Sequence, residues 1–257
     1  MFEILQTKDQ KSKLKDKIIV ALDVETAAEA RETIAELREE VGAFKIGLQL
    51  FTSAGASFVR ETVENGIEVF LDVKFHDIPN TVAKASIEVA RLGVWMFNVH
   101  ALGGSEMLSK TTESVRQVCD KENLKQPKII GVTVLTSSSQ KNLSETGIER
   151  EINAQVLNLA RLTAKYGLDG VVASPHEVQA IRASVDKKDF LIVTPGIRSP
   201  KSETFDDQTR VMSAGEAIKT GSDYLVIGRP ILQADDKIEA VREILREIQY
   251  IQGAVNH

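Results

Sequence analysis

The sequence has little cysteine, few aromatic residues and no long apolar segment, and each shortage excludes a class of protein. A single cysteine, Cys119, excludes an internal disulfide framework and a zinc site built from cysteines. With 5% aromatic residues and no concentrated stripe of lysine or arginine, the chain lacks the stacking surface and the basic footprint of a nucleic-acid binder. Its net charge of −5 agrees with this interpretation, and we expect no polymeric nucleic acid among its partners.

Signal and membrane segments are also missing from the sequence pattern. Residues 1–17 are polar and rich in lysine, and no stretch reaches the ~18 apolar residues that a membrane span needs. The sequence therefore predicts a soluble, cytoplasmic protein without a membrane partner. Residues 1–16 are predicted to form a polar N-terminal extension, and residues 17–257 a single folded domain.

Eight short apolar segments rich in β-branched residues alternate with longer segments of helical periodicity. Near-continuous apolar strands joined through helices favour a parallel sheet that is covered on both faces and can close into a barrel. The sequence therefore predicts an α/β fold, a (β/α)8 TIM barrel in a single domain. The predicted strands are 17–23, 43–50, 67–75, 95–101, 128–136, 170–174, 190–195 and 224–228.

A doubly wound open sheet is the alternative architecture. The first predicted strand is followed by Asp23-Val24-Glu25-Thr26, which is not the glycine-rich turn that a dinucleotide requires, and no P-loop sequence is present. The barrel is therefore the preferred fold. Its two longest irregular connections, 137–152 and 198–209, follow the fifth and seventh strands and are candidates for functional loops.

Strand alternation gathers charged side chains near neighbouring strand ends. Lys45 lies opposite the larger apolar face of the second strand and is predicted to point into the barrel. On the third strand Asp72 and Lys74 share a face, with Cα atoms about 6.6 Å apart. Asp23 and Asp77 lie close to the same ends. Because buried charges must pair, these five groups form either a structural salt-bridge cluster or a catalytic array.

The third strand and its following loop carry a recognisable motif. The run Asp72-Val73-Lys74-Phe75-His76-Asp77-Ile78-Pro79-Asn80-Thr81 matches the Asp-x-Lys-x-x-Asp-Ile-x-x-Thr signature of the orotidine 5′-phosphate decarboxylases. The chain resembles this family from about residue 17 to residue 249. The other matching segments, in the same order as in the family, are Ala21-Leu22-Asp23, Lys45, Pro195-Gly196-Ile197-Arg198 and Gly228-Arg229.

This resemblance implies a carboxy-lyase that converts orotidine 5′-monophosphate to uridine 5′-monophosphate and CO2 in de novo pyrimidine biosynthesis, with no cofactor and no metal. Lys74 would protonate the vinyl carbanion left at C6, and Lys45, Asp72 and Asp77 would complete the charged array. The family resemblance also implies a homodimer in which Asp77, Ile78 and Thr81 reach the partner's site.

The resemblance further implies a set of substrate contacts. Asp23 and Lys45 would hydrogen-bond the ribose hydroxyls, and Thr136 would meet the pyrimidine. Loops after the seventh and eighth strands of such barrels frequently bind phosphate. The implied phosphate ligands are Arg198, Gln208, Gly228 and Arg229.

Two other functions are compatible with the sequence. A related barrel with the Asp-x-Lys-x-x-Asp pattern, of the hexulose-phosphate synthase or keto-gulonate-phosphate decarboxylase type, would stabilise an enediolate with Mg²⁺. A catalytically silent phosphosugar-binding barrel would bind ligand without releasing CO2. His76 and His100 lie near strand ends, but their spacing forms no His/carboxylate triad, so the sequence predicts no metal site.

Overall fold

Eight parallel strands close into a barrel in the computed structural model, which describes residues 14–198 and 212–255. The first strand pairs with both the second and the last, and this pairing completes the ring. The predicted (β/α)8 barrel is confirmed. The barrel strands are β1 (Ile18–Ala21), β2 (Ala43–Gly47), β3 (Val69–Phe75), β4 (Met96–His100), β5 (Lys128–Val132), β6 (Gly170–Val172), β7 (Leu191–Thr194) and β10 (Tyr224–Ile227), while β8 (Ile197–Arg198) and β9 (Met212–Ser213) form a separate two-stranded sheet.

Helices connect successive barrel strands and cover the outside of the barrel. Four of them overlap the segments 27–39, 81–92, 153–166 and 235–249, which have helical periodicity in the sequence, and the last of these helices continues to Val255. Within the described ranges, no helix is both long enough and apolar enough to cross a membrane. The helices are α1 (Ala27–Leu37), α2 (Leu48–Glu64), α3 (Pro79–Arg91), α4 (Gly104–Glu122), α5 (Gln140–Glu145), α6 (Ile152–Lys165), α7 (Val178–Ser184), α8 (Ala214–Lys219), α9 (Arg229–Leu232) and α10 (Lys237–Val255).

Alternation along the strands separates two apolar layers. Phe44 and Ile46 of β2 lie in the cluster beneath the helices, whereas Ala43 belongs to a smaller cluster that fills the barrel interior. Phe70 is the largest side chain of the interior cluster and is 1% exposed. Burial of this kind stabilises a fold by about 1.5–3 kcal/mol for each large apolar side chain. The barrel is therefore a packed core that supports whatever lies at its carboxyl end.

Most of the predicted strands run past the observed ends, by the largest margins at β2 and β5. β2 ends at Gly47, and Leu48 begins α2, because a short apolar run does not distinguish a strand from the first turn of a helix. β5 ends at Val132, four residues before the predicted end at residue 136. The connection 137–152, predicted to be irregular, contains α5, whose N-terminus is capped by the Ser139 side chain.

Two predicted features lie wholly or mostly outside the described residues. Gln208 falls within residues 199–211, and the predicted N-terminal extension begins before residue 14. Both stay predictions.

Gly170 begins β6 at a point where the neighbouring strand leaves no space for a side chain. A Cβ atom here would lie 2.2 Å from the backbone oxygen of Leu191, its partner in β7. We expect Gly170→Ala to lower the free energy of unfolding by about 2 kcal/mol, because overpacking a filled interior costs roughly 1–3 kcal/mol. Urea denaturation followed by circular dichroism measures the change.

Gly253→Ala in α10 is the matched control, since a Cβ atom there meets nothing within 4 Å. It should stabilise the protein by up to about 1 kcal/mol through helix propensity. Equal effects of the two substitutions would contradict the steric account of Gly170.

Candidate active site

A polar layer lies on the interior face of three neighbouring strands, directly beyond the apolar filling of the barrel. On each strand an interior apolar residue is followed two positions later by a polar one, and residues two apart share a strand face. The polar side chains therefore meet at the carboxyl end of the barrel, where enzymes of this fold place their chemistry. The pairs are Ala43 and Lys45 on β2, Phe70 and Asp72 on β3, and Met96 and Asn98 on β4.

The Asp72 carboxylate contacts two lysines. Lys74 Nζ lies 2.6 Å from Asp72 Oδ1, and Lys45 Nζ lies 3.7 Å from Asp72 Oδ2. Lys45 also donates a hydrogen bond to Asp23 Oδ1 at 3.1 Å. The side chains of Asp72 and Lys45 are only 13% and 11% exposed, so water screens their attraction weakly. The structure thus brings together four of the five charged residues that strand alternation predicted to pair.

Opposing effects act on the charge of Asp72. Burial by itself would raise the pKa of the carboxyl group, but the positive charges of Lys45 and Lys74 and hydrogen bonds from Lys74 and Asn98 hold that pKa below its usual range. Asp72 therefore stays ionised although it is buried. Removing either lysine would leave part of this buried charge uncompensated, which is far more costly than removing a surface ion pair.

Lys74 has an unusual backbone conformation. Its φ is 53°, in the left-handed region, which costs a residue with a side chain roughly 1 kcal/mol. The pairing of β3 with β4 is irregular at the same place, between Leu71 and Phe75. The Lys74 backbone N–H donates to Oδ1 of Asn98 at 2.8 Å. Asn98 is a further site residue that the sequence analysis does not include, although strand alternation places it on the interior face two residues after Met96.

The pocket at this end of the barrel is lined by the charged array and by residues from the opposite strands. Thr136 lines it from a turn after β5, and Gly228 and Arg229 line it from the end of β10. A Cβ atom at Gly228 would lie 3.2 Å from Asp23 Oδ2, so glycine keeps this edge open. Arg198 lies in β8 and is not among the residues that line the pocket.

Three predicted residues, in the loop after β3 and the first turn of α3, do not line the pocket of their own chain. Asp77, Ile78 and Thr81 are exposed, and none of them lines that pocket. Asp77 Oδ1 accepts a hydrogen bond from the Ile78 backbone N–H at 2.7 Å, just before α3 begins. The Ile78 side chain is 68% exposed, as are Leu48 at 62% and Leu102 at 45% after the neighbouring strands. Large apolar side chains exposed at three neighbouring strand ends are a feature typical of interaction surfaces.

Two histidines lie beside the array without joining it. The rings of His76 and His100 are 5.4 Å apart. Burial chiefly lowers the pKa of His100, and the nearby His76 and Lys74 lower it further, so His100 is favoured in its neutral form. Among residues 14–198 and 212–255, no group of three or more His, Cys, Asp or Glu side chains could hold a metal ion.

The lowered pKa of Asp72 should make the free energy of unfolding depend on pH. Because the pKa is depressed in the folded protein, Asp72 contributes stability above its unfolded pKa of about 3.9, and this contribution is lost as the pH falls toward the folded pKa. We expect wild type to be more stable than Asp72→Asn at pH 7 and the difference to shrink steadily between pH ~5 and pH ~3. Urea denaturation of both proteins at a series of pH values measures it. A difference that stays constant with pH would contradict the assignment.

Comparisons with known proteins agree with this geometry. The model of the family described as "Orotidine 5'-phosphate decarboxylase / HUMPS family" matches residues 16–244. A protein of Syntrophotalea carbinolica named orotidine 5′-phosphate decarboxylase is 53% identical over 90% of this chain and 94% of its own length. One of the same name from Geobacter metallireducens is 50% identical over 94% of this chain and 98% of its own length.

A solved structure shows the same architecture. The crystal structure of orotidine 5′-phosphate decarboxylase from Lactobacillus acidophilus superimposes with a TM-score of 0.78 and is 34% identical. The match covers 90% of this chain and 98% of that one. The similarity therefore extends over the whole barrel and is not confined to one motif.

Proposed function

The chain belongs to the orotidine 5′-phosphate decarboxylase / HUMPS family, and from that premise we propose that it is a carboxy-lyase converting orotidine 5′-monophosphate to uridine 5′-monophosphate and CO2 in pyrimidine biosynthesis. The observation that carries the proposal is the array of Asp23, Lys45, Asp72 and Lys74 at one wall of the pocket. Relatives bearing this name are about half identical to the chain over nearly its whole length. As an enzyme of nucleotide synthesis, it is proposed to act in the cytoplasm.

The difficulty of the reaction lies in the electron pair that CO2 leaves behind. The carbanion at C6 occupies an orbital in the plane of the pyrimidine ring, so the π system cannot delocalise it. A cation held beside C6 lowers the energy of the transition state, because fixed charges in a partly buried site act more strongly than charges in water. No cofactor is needed if the protein itself supplies that cation.

We assign the cation and the proton to Lys74. Its ammonium lines the pocket and bonds the Asp72 carboxylate at 2.6 Å, which fixes its position. Once CO2 has left, an N–H bond of Lys74 breaks as the C6–H bond forms, and the lysine becomes a neutral amine. Asp72 then remains paired with Lys45. The carboxylate of Asp72 would also repel that of the substrate, a smaller contribution than stabilisation of the carbanion.

The rest of the pocket is proposed to bind the nucleotide away from the reacting carbon. Asp23 and Lys45 would hold the ribose hydroxyls, and Thr136 would contact the pyrimidine. Arg229, at the pocket edge after β10, would bind the phosphate with Gly228, joined by Arg198 and Gln208 from the connection after β7. Binding energy gained at the phosphate can be used to align the charged array with C6.

The proposed active form is a homodimer. Asp77, Ile78 and Thr81 are exposed and do not line their own pocket, and the apolar side chains Leu48 and Leu102, which follow the neighbouring strands β2 and β4, are exposed as well. A twofold dimer would cover this apolar surface on both subunits with one self-complementary interface. In such a dimer Asp77 would enter the partner's pocket and lie beside Lys74 of that subunit.

Sensitivity to a metal chelator distinguishes the decarboxylase from the Mg²⁺-dependent barrels of the same family. We expect the purified protein to convert orotidylate to uridylate equally well with and without excess EDTA, and Lys74→Ala to lose activity by at least about a hundredfold, because it removes both the cation and the proton donor. The loss of orotidylate absorbance measures turnover.

Lys125→Ala is the matched control for this experiment. Lys125 is 75% exposed and pairs with Glu68 before β5, at the opposite end of the barrel. It should keep wild-type turnover. Turnover abolished by EDTA would move the assignment to the magnesium-dependent enzymes, and ligand binding without CO2 release would identify a silent binding barrel.

If each active site contains residues of both subunits, mixing two inactive variants should restore activity. In a mixture of Lys74→Ala and Asp77→Ala, a hybrid dimer would contain one site with both side chains intact. After equal mixing and subunit exchange, we expect about one quarter of wild-type activity, since about half of the dimers are hybrids and half of their sites are complete. Activity is measured before and after mixing. No recovery, with hybrids demonstrated by mass spectrometry of differently tagged subunits, would refute the sharing of Asp77.

A further inference from the structure

We propose that Asn98 is a positioning residue for the charged array, which it holds through both ends of its amide group. This inference rests on the decarboxylase function proposed above and adds a residue to it. Asn98 lies on β4 and is 0% exposed. It is not among the residues that line the pocket, so it acts on the array and not on substrate.

Both polar atoms of the Asn98 side chain are used. Nδ2 donates to Asp72 Oδ1 at 2.6 Å, and Oδ1 accepts from the Lys74 backbone N–H at 2.8 Å. A carboxamide is well suited to this role because it carries an acceptor and a donor on one short, neutral group. Asn98 therefore links the carboxylate of one array member to the backbone of another.

The contact to Lys74 compensates for an irregularity in the sheet. The ladder runs from Leu71 opposite Phe97 to Phe75 opposite Val99, so β3 advances four residues while β4 advances two. Lys74 lies in this irregular stretch with a φ of 53°. The side chain of Asn98 supplies an acceptor for the Lys74 N–H within this irregular stretch. We infer that the amide stabilises the left-handed conformation from which Lys74 reaches the pocket.

The contact to Asp72 matters most when the lysine gives up its proton. Lys74 and Asn98 donate to the same oxygen of Asp72, Oδ1. When Lys74 becomes a neutral amine, that oxygen loses a charged donor but keeps the hydrogen bond from Asn98. Because the Asn98 amide is neutral, it holds the carboxylate by a hydrogen bond without adding a charge to the array. The carboxylate then stays in place to rebind the lysine when it regains a proton.

Substitution at Asn98 tests this role through kcat and KM. We expect Asn98→Ala to lower kcat about tenfold to a hundredfold, as small misplacements of catalytic groups do, while KM for orotidylate changes less than about threefold. Val99→Ala is the control: Val99 is the next residue of β4, is 0% exposed and packs in the cluster beneath the helices. It should lower stability and leave kcat per folded molecule unchanged.

The Asn98→Asp variant tests whether Asn98 positions the charged array or only stabilises the fold. A protonated carboxyl group reproduces both functions of the amide, since its O–H can donate to Asp72 and its carbonyl can accept from Lys74. An ionised carboxylate at position 98 cannot donate a hydrogen bond, and it repels Asp72. This repulsion raises the pKa of the introduced carboxyl group. We expect the activity of Asn98→Asp, normalised to folded protein, to increase relative to wild type as the pH falls, giving a limb that wild type lacks.

The outcomes are distinct. A low kcat for Asn98→Ala at near-normal KM, together with the acid limb of Asn98→Asp, supports the proposal. If Asn98→Ala does not fold, the pH profile of Asn98→Asp decides alone. A wild-type kcat in Asn98→Ala overturns the proposal. So does an Asn98→Asp variant whose activity per folded molecule has the same pH dependence as that of wild type. An inactive wild-type enzyme would instead overturn the decarboxylase function itself.

Discussion

Two lysines share one buried carboxylate at the mouth of the barrel, and each of these three groups depends on the other two. Without Lys45 and Lys74, burial would favour the neutral form of Asp72. Without Asp72, two ammonium groups would lie close together with no anion between them. The array is thus one electrostatic unit that is organised before substrate binds, as is required for a site that stabilises a developing charge.

Closure of the barrel joins this unit to the rest of the pocket. The array stands on β2 and β3 and is extended by Asp23 after β1, while Arg229 follows β10. Because β1 pairs with both β2 and β10, the last strand of the barrel lies next to the first. Asp23 consequently approaches Gly228 closely, and the proposed ribose and phosphate ligands meet at one edge. An open sheet would separate them.

Much of this arrangement could be predicted from the sequence, because a two-residue period and apolar strand faces suffice to point Lys45 and Asp72 inward. The left-handed backbone of Lys74 could not be predicted, since nothing in a lysine favours that conformation and the neighbouring strand stabilises it. The interior position of Asn98 follows from the same alternation, but its role could not be predicted, because that role depends on the irregular pairing beside it. The helix α5 within 137–152 could not be predicted, because its six residues have too few apolar positions to show a period.

The central claim is that the Lys74 ammonium, held by Asp72, lies against the carbon that loses CO2. A crystal structure of the wild-type protein with bound uridylate tests this most directly. The account predicts Lys74 Nζ within about 3.5 Å of C6, the near-attack distance for proton transfer, with its bond to Asp72 intact. A uridylate whose C6 faces another side chain, with Lys74 turned away from the ring, would contradict it.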